Sequence, residues 1–217
     1  MIIKEKLATI IIPHHTAREH LKNLLACIDN SLFDIVICSG SFFSHNANKG
    51  AKIAETNKMV ILNDDILLSN DDLIKVCDAL ETTNYVSSSQ IQVSKDNVKV
   101  YGLGFRMTSS GHCYPKEEEN KDVVIIPHGF CVGIKQCDWE KLGGYNEAYR
   151  TGYEDVDFGL RAYNLGFSMR ILDLEMKHFV AQSEGRAKYV RENQSLLDRT
   201  YSNEYIRSLN RKNIIID

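Results

Sequence analysis

The sequence predicts an α/β fold: a mixed, mainly parallel sheet flanked by helices. Three observations carry that expectation. Short apolar runs rich in Ile and Val alternate with amphipathic stretches across residues 9–80. Each run stops abruptly in proline, glycine or acidic residues. The order strand, helix, strand, helix, strand lays successive strands side by side in one direction, because each crossover helix returns the chain to the starting edge.

Thr9-Ile10-Ile11-Ile12, closed by Pro13, reads as the first buried strand. Leu21, Leu24, Leu25 and Ile28 then recur at helical spacing between Ala17 and Asp29. Ile35-Val36-Ile37-Cys38 is a second strand, stopped by Ser39-Gly40-Ser41, and Asn48 to Thr56 a short helix. Met59-Val60-Ile61-Leu62 is a third strand that runs straight into Asn63-Asp64-Asp65. Asp71 to Leu80 is a helix opened by Asn70 or Asp71 as its cap. Ligands of such sheets bind beyond the carboxyl ends of the strands, so Pro13-His14-His15, Ser39-Gly40-Ser41 and Asn63-Asp64-Asp65 share the binding edge.

The second half is less regular. Strands are expected near residues 91–93, 98–100, 123–126 and 168–172, with Lys116 to Asp122 a solvated loop. A helix over Lys135 to Lys141 ends at Gly143-Gly144, and the helix carrying Glu154-Asp155-Val156-Asp157 ends at Gly166. An amphipathic helix from Ala187 to about Asn210 turns Val190, Leu197, Tyr201 and Tyr205 inward.

The 217 residues suit a single domain. We expect a nucleotide- and metal-binding half over about 1–100, an acceptor and catalytic half over about 101–186, and a C-terminal helix over 187–217. A net charge of -3 offers no basic field, so nucleic acid is not an expected partner. No apolar run is long enough to span a bilayer and the N-terminus is no signal peptide, which points to a cytoplasmic protein. Six scattered cysteines without a CxxC pair read as buried reduced thiols. A zinc site from His112, Cys113, His128 and Cys131 fits no common ligand spacing.

Three places carry chemistry. Asp64 and Asp65 repel each other at a sheet edge unless something positive joins them, and a hard divalent cation with a diphosphate fits. On a helical wheel Glu154, Asp157, Arg161 and Asn164 form one stripe, read as a solvated face with an i,i+4 pair between Asp157 and Arg161. Asp155 falls off that stripe, beside Gly159 and Ala162, so something approaches closely there. His178 lies between apolar residues, where a histidine is more often a satisfied core or edge residue than a ligand, ahead of a polar, basic stretch over 181–188 that suits a flap over phosphates or an exposed linker.

In order and at compatible spacing, these pieces resemble the family two inverting glycosyltransferases, nucleotide-sugar enzymes of the GT-A fold (a Rossmann-type sheet). The resemblance spans roughly residues 7–186. Thr9 to Thr16 resembles the opening strand and its Pro-x-Tyr-Asn turn. Asn48 to Ala54 resembles the Asn-x-Gly helix, and Ile61 to Asp65 the DXD-like motif. His128 to Gly133 and Leu142 to Glu147 resemble the glycine-rich strand and the Gly-Gly-Phe-Asp-Glu turn. Gly152 to Phe158 is the most specific match, to the Glu-Asp motif that carries the catalytic base.

The resemblance implies a nucleoside-diphosphate sugar as donor, a glycan or other hydroxyl as acceptor, and Mn2+ or Mg2+ as cofactor. Asp155 is then the general base, and Asp65 and His178 the metal ligands. Pro13, His15, Ser39, Asn48, Asn63, Asp64, Glu154 and Arg186 are the expected donor-side contacts. The chain departs from the family at Cys38-Ser39, where an acidic pair is usual, so uridine is not implied as the base. His15 stands where Tyr is common. A nucleotidyltransferase-like diphosphate enzyme is the alternative, but Pro13 to Arg18 lacks the glycine such phosphate loops carry. A non-catalytic nucleotide- or sugar-binding module of this fold is the other; the altered Cys38-Ser39 favours it, while Asp65, Asp155 and His178 together oppose it.

Overall fold

The run Ala8–Pro13 is buried along its whole length, as an apolar strand without alternation requires when helices cover both faces of a sheet. The structure, a computed structural model, describes residues 5–14, 19–93, 99–102, 105–107, 113–115, 125–126, 128–174, 176–179, 186–209 and 214–216. In chain order its elements are β1 (Ala8–Pro13), α1 (Glu19–Cys27), β2 (Phe33–Cys38), α2 (Phe43–Ile53), β3 (Lys58–Leu62), β4 (Ile66–Leu67) and α3 (Asn70–Ala79). There follow β5 (Tyr85–Ser88), β6 (Gln90–Val93), β7 (Lys99–Gly102), β8 (Phe105–Met107), β9 (Cys113–Pro115), β10 (Ile125–Ile126), β11 (Cys131–Lys135) and α4 (Gln136–Leu142). The chain ends in α5 (Glu154–Asn164), β12 (Met169–Leu172), β13 (Lys177–Phe179), α6 (Arg186–Thr200), α7 (Asn203–Ser208) and β14 (Ile214–Ile216).

The main sheet has the order β14-β12-β5-β11-β3-β1-β2. Among its described strands β11 alone is antiparallel to its neighbours, with Cys131 opposite Leu62 and Ile134 opposite Tyr85. That reversal delivers its approach, His128-Gly129-Phe130, to the edge where the parallel strands end. Strands β4, β6 and β13, which follow β3, β5 and β12, build a second sheet with β7 in the order β4-β13-β6-β7. The expected α/β fold with a mixed, mainly parallel sheet is the one formed.

Two local expectations are corrected. Ser69, not Asn70 or Asp71, caps α3: its hydroxyl accepts from the Asp72 N–H at 3.2 Å, and the Asp72 carboxylate accepts from the Ser69 N–H at 2.9 Å. The C-terminal helix is two, because the Ser202 hydroxyl accepts from the Tyr205 N–H and starts α7 afresh. Leu197 nevertheless points inward as expected, against Ile126, Tyr149, Val156 and Leu160. Cys38, Cys77 and Cys131 are buried thiols, Cys27 is partly covered and Cys137 is exposed. His112, the Cys113 side chain, the loop 116–122 and residues 181–185 of the flap-like stretch lie outside the described residues. No helix among the described residues is long and apolar enough to cross a membrane.

The wheel reading of α5 needs the larger correction. Its stripe is not a solvated face: Glu154 is 8% exposed and Asp157 2%. Asp157 accepts from Arg161 Nε at 2.8 Å and from the Tyr201 hydroxyl at 2.9 Å, tying α5 to the residue that follows α6. Arg161 in turn donates to the carbonyls of Leu142 and Gly144. The small side of α5 is also filled: a Cβ on Gly159 would overlap the Ile126 side chain, so Ile126 is what approaches there. Asp157→Ala leaves a guanidinium and a hydroxyl without their acceptor. We expect it to cost about 2–3 kcal/mol in denaturant unfolding, as for hydrogen bonds to a buried charge. A cost below about 1 kcal/mol would mean that the pair behaves as a surface pair.

Candidate active site

The turn that aims α5 is built from left-handed backbone. Gly152 has φ 89° and Tyr153 φ 69°, a conformation costly for a residue with a side chain. Helix α6 holds it in place: Asn193 Nδ2 donates to the carbonyls of Thr151 and Gly152 at 3.0 and 2.8 Å, and the Tyr153 hydroxyl donates to Gln194. The first turn of α5 thereby faces the approach to β11. Asp155 Oδ2 accepts the Gly129 N–H at 3.1 Å and its Oδ1 the Val156 N–H at 2.9 Å. Two amide donors and a helix N-terminus suit a carboxylate's negative charge. Gly129 cannot be larger, since a Cβ there would overlap Asp155 Cβ.

The neighbouring residue links this carboxylate to the end of β3. The Phe130 carbonyl accepts the Asn63 N–H at 2.9 Å, and the Phe130 ring stacks on His178 at 5.4 Å with 17° between planes. His178 Nε2 lies 3.1 Å from Asn63 Nδ2 and 3.2 Å from Asp65 Oδ1, while its Nδ1 meets Gln90 Oε1 at 2.6 Å. Asp64 points the other way and pairs with His14 Nδ1 at 2.6 Å. Asn63, Asp64, Asp65 and His178 thus meet at one edge, with Asp155 joined to them through residues 129 and 130.

The other expected contacts are placed less uniformly. Pro13 is buried at the end of β1 and Ser39 exposed beyond β2. Glu154 is buried at the start of α5. Asn48 is engaged with the turn after α4. Its Oδ1 accepts the Tyr145 N–H, and its Nδ2 donates to the Tyr145 carbonyl and to Glu147, all at 2.9 Å. Its amide is spent on holding the Gly-Gly-Tyr-Asn-Glu turn. His15 and the side chain of Arg186 lie outside the described residues.

The sequence placed His14 on the binding edge and Gly129 in the glycine-rich match but gave neither a role, and it did not point to Gln90. Gly129 carries no signal beyond its type, and His14 and Gln90 act through partners 50 and 88 positions away. His128 has a further consequence. Burial, with His178 nearby, holds its ring down from 6.5 to about 3. The folded state keeps it neutral, so stability is full above about 6.5 and is lost as pH falls toward 3. At roughly 1.4 kcal/mol per pH unit that loss reaches several kcal/mol. His128→Gln is expected to flatten the fall of the urea midpoint between about pH 6 and 4. An unchanged slope would assign the acid sensitivity to other groups.

No family model matches the chain. A low-salt glycan biosynthesis hexosyltransferase, Agl10 of Haloferax volcanii, is 24% identical over 186 residues, spanning 71% of this chain and 61% of that protein. Among solved structures, GalNAc-T7 with UDP, GalNAc and Mn2+ superposes with a TM-score of 0.62 at 12% identity, over 91% of this chain and 48% of that one. TarS of S. aureus gives 0.57 at 12% identity, over 90% and 39%. The chain therefore spans less than two thirds of the length of each of these proteins. Taken with the sheet order and the reversed strand β11, these likenesses give the chain the GT-A-like fold of glycosyltransferases.

Proposed function

We propose that this chain is a metal-dependent inverting glycosyltransferase, moving a sugar from a nucleoside-diphosphate sugar to a hydroxyl of a glycan or other acceptor. The observation that carries the reading is the 3.1 Å bond from the Gly129 N–H to Asp155, which fixes one partly exposed carboxylate at the edge shared by Asp65 and His178. The names of the relatives point the same way: one is a hexosyltransferase, and one was solved with UDP, GalNAc and Mn2+.

The residues fit a divalent cation. Asp65 Oδ1 is buried and accepts no hydrogen bond among the described residues, and His178 Nε2 stands 3.2 Å from it. No cluster of three or more His, Cys, Asp or Glu converges among the described residues. Asp65 and His178 would then supply two ligands to Mn2+ or Mg2+, with diphosphate oxygens completing the shell. When bound, the cation offsets the charge that grows on the departing diphosphate. Asp155 takes the acceptor's proton as its oxygen attacks the anomeric carbon. One base and one displacement invert that centre. Asp64, held by His14, and Asn63 contact the ribose or sugar. Ser39, beside buried Cys38, leaves the nucleobase without the family's carboxylate contact.

The test is thermal unfolding with UDP, GDP, CDP and a panel of nucleotide sugars, with and without Mn2+, followed by donor hydrolysis. A ligand at 100-fold its Kd adds about 2.7 kcal/mol, or roughly 5–10 °C in a domain of this size. Cation-dependent stabilisation with turnover supports the proposal. Stabilisation without hydrolysis or transfer to any acceptor favours the binding module, and no stabilisation removes the nucleotide site. Gly129→Ala pushes the first turn of α5 off its seat, and a misplacement near 1 Å costs about 100-fold in rate. Its transfer is expected to fall by that order while the cation-dependent shift persists. Equal loss of both would mean a general collapse of the edge.

A further inference from the structure

Gln90 opens β6, is 2% exposed, and its Oε1 lies 2.6 Å from His178 Nδ1. A carbonyl oxygen only accepts, so Nδ1 carries the ring proton. The other ring nitrogen agrees. His178 Nε2 faces Asn63 Nδ2 at 3.1 Å, and an amide nitrogen only donates, so Nε2 presents a lone pair. Nε2 also stands 3.2 Å from Asp65 Oδ1, a buried oxygen that accepts no hydrogen bond among the described residues, and a cation there would take the lone pair over from the Asn63 amide. Two acceptors so placed repel one another unless a cation lies between them. The ring has little freedom to turn away, because Phe130 stacks on its face and β13 is hydrogen-bonded to β6 with His178 opposite Gln92.

We infer that Gln90 is a positioning residue: it holds His178 in the Nδ1–H tautomer and aims Nε2 into the cation site shared with Asp65. This rests on the cation reading above. A partner behind a metal-bound imidazole fixes both tautomer and orientation, and its loss typically costs 10- to 100-fold in metal affinity. A main-chain carbonyl performs this role equally well, but the amide of Gln90 is replaceable by mutation, which makes the role measurable.

The first readout needs neither metal nor activity. Long-range proton–nitrogen NMR of the metal-free protein, with His178→Gln to assign the signal, is expected to give pyrrole-type Nδ1 and pyridine-type Nε2. A pyrrole-type Nε2 overturns the inference, because the ring then donates toward Asp65 and has no lone pair for a cation. The second readout is Mn2+ affinity by titration calorimetry in the presence of UDP, GDP or CDP. Gln90→Leu removes the acceptor and is expected to bind Mn2+ about 10- to 100-fold more weakly. Gln90→Glu keeps an oxygen in place and is expected to retain most of the affinity. Wild-type binding of Mn2+ with undiminished binding by a folded Gln90→Leu overturns the role of Gln90 and leaves the cation site standing. A wild-type protein that binds no Mn2+ with any of the three diphosphates overturns the cation reading itself, whatever the tautomer.

Discussion

Asp155→Asn is expected to slow sugar transfer by about 100- to 10,000-fold, the range for losing a general base, while donor and cation bind as before. The amide keeps an oxygen that accepts the Gly129 N–H and gives up only the contact with the adjacent Val156 N–H, so the link between α5 and residue 129 survives. What it loses is the ability to take a proton from the acceptor hydroxyl. Asp157→Asn is the control on the same helix. Its carboxylate is consumed by Arg161 and Tyr201 and is 2% exposed, so its loss lowers stability and leaves the folded fraction competent. Rates for both variants, corrected for folded fraction, decide between them. Near wild-type transfer by Asp155→Asn with an inactive Asp157→Asn would show that the wrong acid has been assigned.

Asp65→Asn is expected to abolish cation-dependent stabilisation by a nucleoside diphosphate, an effect of several degrees in melting temperature at saturating ligand. The substitution removes the negative charge and also places an NH2 group beside His178 Nε2, now 3.2 Å from Asp65 Oδ1. That group ends the repulsion between the two acceptors and stands where the cation would lie, while the ring lone pair keeps its Asn63 donor. The metal-free variant is therefore expected to melt no lower than wild type. Cation-dependent stabilisation of undiminished size in this variant would remove Asp65 from the ligand set. A lower metal-free melting temperature would mean that its carboxylate has a structural task instead.

The parallel core was legible because its causes are local. Thr9 to Ile12 and Met59 to Leu62 are apolar without alternation and end in residues that stop strands, so their burial and direction follow from the sequence. Strand β11 was expected only through the resemblance at His128 to Gly133, and its reversal was not legible because nothing in Cys131 to Lys135 marks a direction relative to its neighbours. Asp155 was singled out, but for a reason the structure replaces. The wheel treated the stripe through Glu154 and Asp157 as solvated, whereas Tyr201, 44 positions away, covers Asp157. It also left room beside Gly159 that Ile126 fills. What distinguishes Asp155 is its contact with Gly129, 26 positions earlier in the chain. Periodicity reports which residues share a face; it does not report what comes from elsewhere to cover that face.

The most direct test of the account is the anomeric configuration of the first product, followed by proton NMR from an α-linked nucleotide-sugar donor. A single displacement with Asp155 as base requires a β-linked product from the earliest spectrum, with the α-linked form absent. An α-linked first product would contradict the account, because retention needs a chemistry in which one base at Asp155 is not sufficient.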